Sequence, residues 1–425
     1  MSAPSEHRPG KASRLRRLAI DLAPLRVSRQ FRLVWVGLLV SSSGSQFTVV
    51  AVFVQVTRLT GSEAAVGLTG LVWLAGLVVG SIAGGTVLDS WDRRRLLIVA
   101  QLVIAVGVAT LLAGSIAGDP PIGVIYAGLA VMAAASAIDG PTRSAMTPRL
   151  VGPELIPSAQ ALNQVIWNGA GIFGPALAGI TIQRFGVTLA YAIDLVSVGM
   201  MLLAALALHP MPPEERERNQ TGLRAVREGF AYVRASRLLQ STFAIDLVAM
   251  VFGMPRALFT FLAVEQFGRG VEIIGLLFSA PAVGALLGAL TSGWTRSVRR
   301  QGQAVAVAVA AWGAAIAGFG LVGDRLWLAL VMLALAGWAD VISAIFRSTI
   351  LQLSVPDRLR GRLSGIHSLV VTGGPRLGDF EAGLVARLVS PGFSVVSGGI
   401  ACILGAGVVA LAYPELRRHR AEQRV

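Results

Sequence analysis

The sequence predicts an all-α integral membrane protein, with twelve transmembrane helices in two pseudo-symmetric six-helix bundles. Three observations predict it. The first is composition: the 425 residues are 54% hydrophobic and 14% charged, with a mean hydropathy of +0.68. Soluble chains carry roughly 25% charged residues, so the bilayer is the expected solvent. The second is the placement of basic residues, and the third is an internal repeat.

A bilayer-spanning helix needs about 20 apolar residues. Such runs fall near 31–57, 64–88, 96–117, 122–142, 160–183 and 187–208, then near 241–266, 273–294, 304–322, 326–346, 364–386 and 393–413. They divide the chain into a tail (1–30), a first bundle (31–208), a linker (209–240), a second bundle (241–413) and a closing tail (414–425). Of the 37 Lys and Arg, 30 fall in one alternating set of loops and tails, while Arg58, Arg184, Arg269, Arg325 and Arg387 make up the other set. Arg256 and Arg376 lie inside apolar runs. Basic residues mark the cytoplasmic side of membrane proteins, so both termini are expected in the cytoplasm of a multi-pass cell-membrane protein. The first thirty residues lack an apolar core of signal-peptide length and read as a cytoplasmic extension. Leu15 to Arg29 has the pattern of either a short amphipathic helix or a plain tail.

The repeat joins Gly171-Ile-Phe-Gly174-Pro175-Ala-Leu-Ala-Gly179 to Val371-Thr-Gly-Gly374-Pro375-Arg-Leu-Gly-Asp379. Upstream, Arg143-Ser144 and Pro153-Glu154-Leu155 match Arg347-Ser348 and Pro356-Asp357-Arg358, read here as loops. Duplicated halves enclosing a path are the plan of secondary transporters. In the linker, Leu223, Val226, Phe230 and Val233 alternate with Arg224, Arg227 and Arg234 as on an amphipathic helix, behind a charged run at Glu214–Arg218.

Other classes are excluded. The net charge of +14 marks a membrane face, so no nucleic-acid partner is expected. A single Cys402 and histidines scattered at 7, 209, 367 and 419 offer no metal cluster, no cofactor site and no catalytic constellation, so the chain is not expected to be an enzyme. No phosphate-binding loop is present, which argues against ATP drive.

The loop after the second run reads Gly85-Thr-Val-Leu-Asp89-Ser90-Trp91-Asp92-Arg93-Arg94-Arg95. Positive-inside placement explains its arginines but not Gly85 and Asp89; an acid at a helix end followed four residues later by a base fits an ion-pair network between helices. Here Gly85, Asp89, Arg93 and Arg94 resemble the conformational-gate motif of the major facilitator superfamily, with Ser90 replacing its usual basic residue and Asp92 its Gly. The sequence is similar to the branch that holds the enterobactin exporter and related drug-efflux proteins. Phe31-Arg-Leu-Val-Trp35, Leu59-Thr-Gly-Ser62, Pro141-x-Arg143-Ser144-Ala145 and Gly374–Asp379 carry that likeness across roughly 24–415.

In the fifth run, Gln164, Asn168, Gly171 and Pro175 share one helix face. Such a stripe packs helices closely. Gly171, Gly174, Pro175 and Gly179, echoed by Gly374, Pro375 and Gly378, also resemble the superfamily's antiporter motif, which implies export. In the eleventh run, Ser364, Ser368, Thr372, Pro375 and Asp379 fall within about 80° of arc at 100° per residue. A charge near the midplane costs at least about 2.5–3.5 kcal/mol on insertion scales. Arg376 and Asp379 there fit either a self-neutralising pair or a proton-binding acid tuned by its neighbour. Glu381 points about 160° away if the helix is unbroken. Asp194, Asp246 and Asp340 are further proton-coupling candidates, and Asp139 with Arg143 reads as a structural pair. Ser42, Gln46, Gln164, Asn168, Arg256, Ser368 and Thr372 are candidates for lining a substrate cavity.

The expectation is a monomeric secondary active transporter: a proton-coupled antiporter in the lipid bilayer that exports an amphipathic small molecule, siderophore or drug, by alternating access. Its rivals are proton-coupled import and a non-transporting receptor or scaffold of the same fold.

Overall fold

The computed structural model describes residues 21–87, 91–118, 120–212 and 223–419. Asp89, Ser90, the run Glu214–Arg218 and the part of the Leu15–Arg29 stretch before residue 21 lie outside the described residues, as do the side chains of Ser364 and Ser368; within that stretch Ala23–Val27 is a short helix. The described residues form helices and turns with no strand.

Capping chemistry sets several boundaries. The first segment, Arg29–Thr60, opens where Ser28 Oγ accepts from the Phe31 N–H at 3.1 Å and ends at Gly61, whose φ of 56° is left-handed. Glu63–Val87 is the second. The third, Arg93–Ile116, starts at Asp92, whose carboxylate accepts from the Arg95 N–H at 3.1 Å. Ile122–Val151 follows, then a long helix Ile156–Leu206 that Gly186 (φ 81°, ψ 173°) divides into the fifth (156–185) and sixth (187–206) segments. A short helix, Leu223–Ala235, precedes the second half.

The seventh segment is broken. Arg237–Phe252 stops before Met254-Pro255, and a 3-10 turn, Arg256–Leu258, leads into Phe259–Glu265. Proline lacks the N–H a helix needs and disfavours helical geometry in the residue before it. Val271–Leu290, Gln301–Leu321, Leu326–Ser354, Asp357–Leu388 and Pro391–Ala412 complete the chain's long helices. Ten described helices are long and apolar enough to cross a bilayer, counting 153–206 as one. Division at Gly186 and inclusion of the more polar Asp357–Leu388 bring the segments to twelve.

Two sequence-based loops need correction. Arg143 lies inside the helix ending at Val151, and Arg347 inside the one ending at Ser354, so neither begins a loop. Hydropathy finds where an apolar run stops, but a helix persists past that point when its polar residues have partners.

Packing repeats in the two halves. The second segment packs on the fourth as the eighth packs on the tenth, and the third meets the fourth as the ninth meets the tenth. Between halves, the second packs on the eleventh and the fifth on the eighth, an exchange expected of a pseudo-two-fold. These seams are backbone-close: a Cβ on Gly70 would stand 2.4 Å from the Arg376 carbonyl oxygen, and one on Gly275 2.3 Å from that of Pro175.

Among the described residues, the first half joins the core shared between the halves at one end only. There Phe47, Phe53, Val56 and Tyr191 belong to one apolar cluster with Phe259, Leu262, Ile273 and Leu277. At the end rich in arginine each half keeps its own cluster. Val34, Leu97, Met146 and Met201 form one, and Leu239, Leu351, Val355 and Ile366 the other. The Leu223–Ala235 helix adds Tyr232 and Val233 to the latter, and the Tyr232 hydroxyl donates to the Ser354 carbonyl at 3.4 Å.

Candidate functional site

Among the described residues, four buried carboxylates mark polar centres within the spans. Asp139 and Arg143, one turn apart on the fourth segment, pair at 2.5 Å, and Gln101 of the third donates to Asp139 at 2.8 Å. This is the structural pair expected from the sequence.

The second centre is in the sixth segment. Asp194 is 1% exposed and accepts from the Thr48 hydroxyl at 2.5 Å and the Ser197 hydroxyl at 3.1 Å. It ties the sixth segment to the first.

The third joins the seventh, tenth and eleventh segments. Arg347 contacts Asp246 at 2.7 Å and Asp340 at 3.4 Å, while His367 Nε2 lies 3.5 Å from Asp246. Arg347 and Asp246 are buried, and Asp340 and His367 stand partly exposed at the margin. Two carboxylates share one guanidinium and one imidazole. Sequence reading placed Asp246 and Asp340 among the candidates but missed Arg347, taken for a loop residue, and His367. The available signal was periodicity: Asp340 and Arg347 are seven residues apart, two turns of one helix face.

The fourth centre lies where the halves meet. Asp379 is wholly buried, with its Oδ2 3.6 Å from Arg256 and 4.0 Å from Arg376, and its Oδ1 accepts from the Ala257 N–H at 3.2 Å. The Arg376 guanidinium lies 4.9 Å above the Trp73 ring of the second segment, a cation–π contact between halves. The kink at Pro255 turns Arg256 toward the eleventh segment. Arg376 and Asp379 are therefore not a self-contained pair. Glu381 is half-buried on a helix that continues past Pro375, with no ion pair among the described residues.

The remaining predicted residues fall into packing or partly open positions. A Cβ on Gly174 would stand 2.7 Å from Gln46 Cβ, and one on Gly374 2.6 Å from Met250 Cβ, so the two Gly-Pro segments seat equivalent helices. Gly179 backs onto Gly275, Gly378 onto the Val251 carbonyl and Gly171 onto Ala282. Pro175 and Pro375 lie within continuous helices. Gln164 donates to Asn168 at 3.1 Å on an open face, and Thr372 is exposed. Ser42 is buried, its carbonyl accepting from Ser45. In the gate motif, Gly85 lies in the last turn of the second segment. Arg94 donates to the Leu206 carbonyl at 2.7 Å, and the Arg93 N–H to that of Met211 at 3.0 Å, tying the third segment to the end of the sixth.

Paired helical bundles, internal charge clusters and a core shared at one end define a major facilitator fold, that of a membrane transporter. Residues 19–424 match the transmembrane secretion effector family, and the chain belongs to it. The enterobactin exporter EntS of Shigella boydii serotype 18 is 28% identical over 403 residues, covering 94% of this chain and 96% of that protein. The Citrobacter koseri protein of the same name is also 28% identical with the same coverage. Among solved structures, the nucleoside transporter NupG superposes with a TM-score of 0.71 at 14% identity, covering 92% of this chain and 100% of that one. An inward-facing bacterial homologue of ferroportin gives 0.66 at 15% identity, covering 92% and 99%. The fold likeness extends across the chain. The protein is a multi-pass membrane transporter and not an enzyme.

Proposed function

We propose that the protein is a proton-coupled antiporter that exports an amphipathic organic molecule by alternating access, with its arginine-rich end in the cytoplasm. The observation that carries this reading is the one-sided core: the halves share packing at one end and keep separate clusters at the other. Rocking about the glycine seams of the second and eleventh, and fifth and eighth, segments exchanges which end is closed. The family's description and the relatives' name as enterobactin exporters favour outward movement and a siderophore-like cargo, with drugs as the alternative. The positive-inside distribution supports the orientation.

The proton is assigned to the Asp246–Asp340–Arg347–His367 network. Its two carboxylates against one permanent cation leave one negative charge for a proton to neutralise, and Asp340 and His367 give partly exposed entry points. Among the described residues, the charged and titratable groups facing it are those four and the buried Cys402 thiol of the twelfth segment. Asp379, facing two guanidiniums, takes a gating role, and Asp194 and Glu381 stand as further acids to test. Everted vesicles check the function: proton-driven accumulation of a siderophore or drug is expected, lost in Asp340→Asn. Accumulation driven equally well with the gradient collapsed would remove proton coupling, and uptake by right-side-out vesicles alone would reverse the direction.

A further inference from the structure

We propose that Arg256 and Arg376 form a binding site for an anionic group of the cargo, a carboxylate or an acidic phenolate, with Asp379 as its internal stand-in. The proposal rests on the transporter reading above and names the charge of the substrate.

Three observations carry it. The first is charge: two guanidiniums face one carboxylate, leaving an excess positive charge inside the membrane-spanning region. A charge there is costly and is expected to meet a partner.

The second is geometry. The contacts of Asp379 to Arg256 at 3.6 Å and to Arg376 at 4.0 Å are long beside the 2.7–2.9 Å of a tight charge-assisted bond. Elsewhere in the same protein Arg347 meets Asp246 at 2.7 Å and Arg143 meets Asp139 at 2.5 Å. Those pairs stand at contact distance, whereas this trio is slack. Arg256 Nε is buried without a hydrogen bond, and Arg376 Cζ lies 4.9 Å from the centre of the Trp73 ring.

The third is position. Arg256 and Arg376 keep 30% and 19% of their side chains accessible while Asp379 keeps none. The seam contacts of the second and eleventh segments run from Gly383 against Glu63, past Gly70 against Arg376, to Gly373 against Leu74. Thr372, next to Gly373 and one turn from Arg376, is exposed. The arginines thus lie near the limit of the seam, where a molecule entering between the parted halves ends its path. An incoming anion displaces Asp379 from the guanidiniums and acts on Trp73, so occupancy bears on the contact between halves.

The test uses the purified full-length protein in neutral detergent, with thermal stabilisation measured against benzoate, its neutral isostere benzamide, and chloride at matched ionic strength. Saturable stabilisation by benzoate alone is expected. Arg256→Gln and Arg376→Gln weaken it about tenfold each, the loss of one charge-assisted hydrogen bond, and the corresponding Lys variants retain most of it. Asp379→Asn strengthens it by a similar factor, which separates a competing carboxylate from a merely structural one. Equal effects of benzoate and benzamide, or of benzoate and chloride, overturn the proposal, as does indifference to the Gln variants. Arginine-dependent benzoate binding without proton-driven transport in vesicles counts against the proposed function alone. Proton-driven transport with no benzoate preference counts against this inference alone.

Discussion

At the scale of single residues, Arg347 decides most. It is the cation of a network whose Asp246 is fully enclosed. Arg347→Gln leaves that carboxylate without its partner, and breaking a buried pair from one side costs about 3–5 kcal/mol. Thermal unfolding in micelles is expected to show that loss, and Arg347→Gln with Asp246→Asn to recover most of it. Equal destabilisation of the single and double variants would mean that Arg347 acts through something other than Asp246. The sequence made Asp246 visible as an acid in an apolar run. It hid Arg347, because an arginine at the end of such a run looks like an ordinary loop cation.

At the scale of elements, glycines do two kinds of work that variants can separate. Within the second half, a Cβ on Gly284 would stand 1.7 Å from the Ala334 carbonyl oxygen, between the eighth and tenth segments. Gly284→Val is therefore expected to destabilise the fold by about 1–3 kcal/mol or more, as overpacking does, seen as a lower unfolding temperature. Gly70 instead faces the Arg376 carbonyl across the seam between halves. Gly70→Val is expected to keep most of the thermal stability and lose transport, because it strains one arrangement of the halves. If both variants lose stability alike, the seam is part of a single rigid core. The Gly-Pro repeat was legible as duplication, and its packing role was one of the two readings the sequence allowed. Which helices it seats, Gly174 on Gln46 and Gly374 on Met250, came only with the fold.

At the scale of the whole molecule, the closed end should open during transport. Thr57 and Thr260, one from each half, share a hydroxyl hydrogen bond of 2.8 Å at that end. A Thr57→Cys, Thr260→Cys protein is expected to form a disulfide on oxidation, arrest transport and recover on reduction. The native Cys402 is fully buried and adds little background. Undiminished transport by the oxidised, cross-linked protein would show that this end need not part.

By itself the sequence determined the solvent, the segment plan and the duplicated halves. These depend on composition and local periodicity, and each apolar run must satisfy its own backbone as a helix in lipid. It also picked out the intramembrane acids, since any charge there stands out against its surroundings. Only the tertiary structure decided their partners. Arg256 reaches Asp379 across 123 positions because Pro255 breaks the seventh segment, and Arg347 meets Asp246 across 101. Partnership over such separations depends on helix rotation and crossing, which packing fixes and periodicity does not. The Gly-Pro pair announced two related halves, and the fold showed that the charges at 376 and 379 in the second copy face Arg256 and Trp73 where those halves meet.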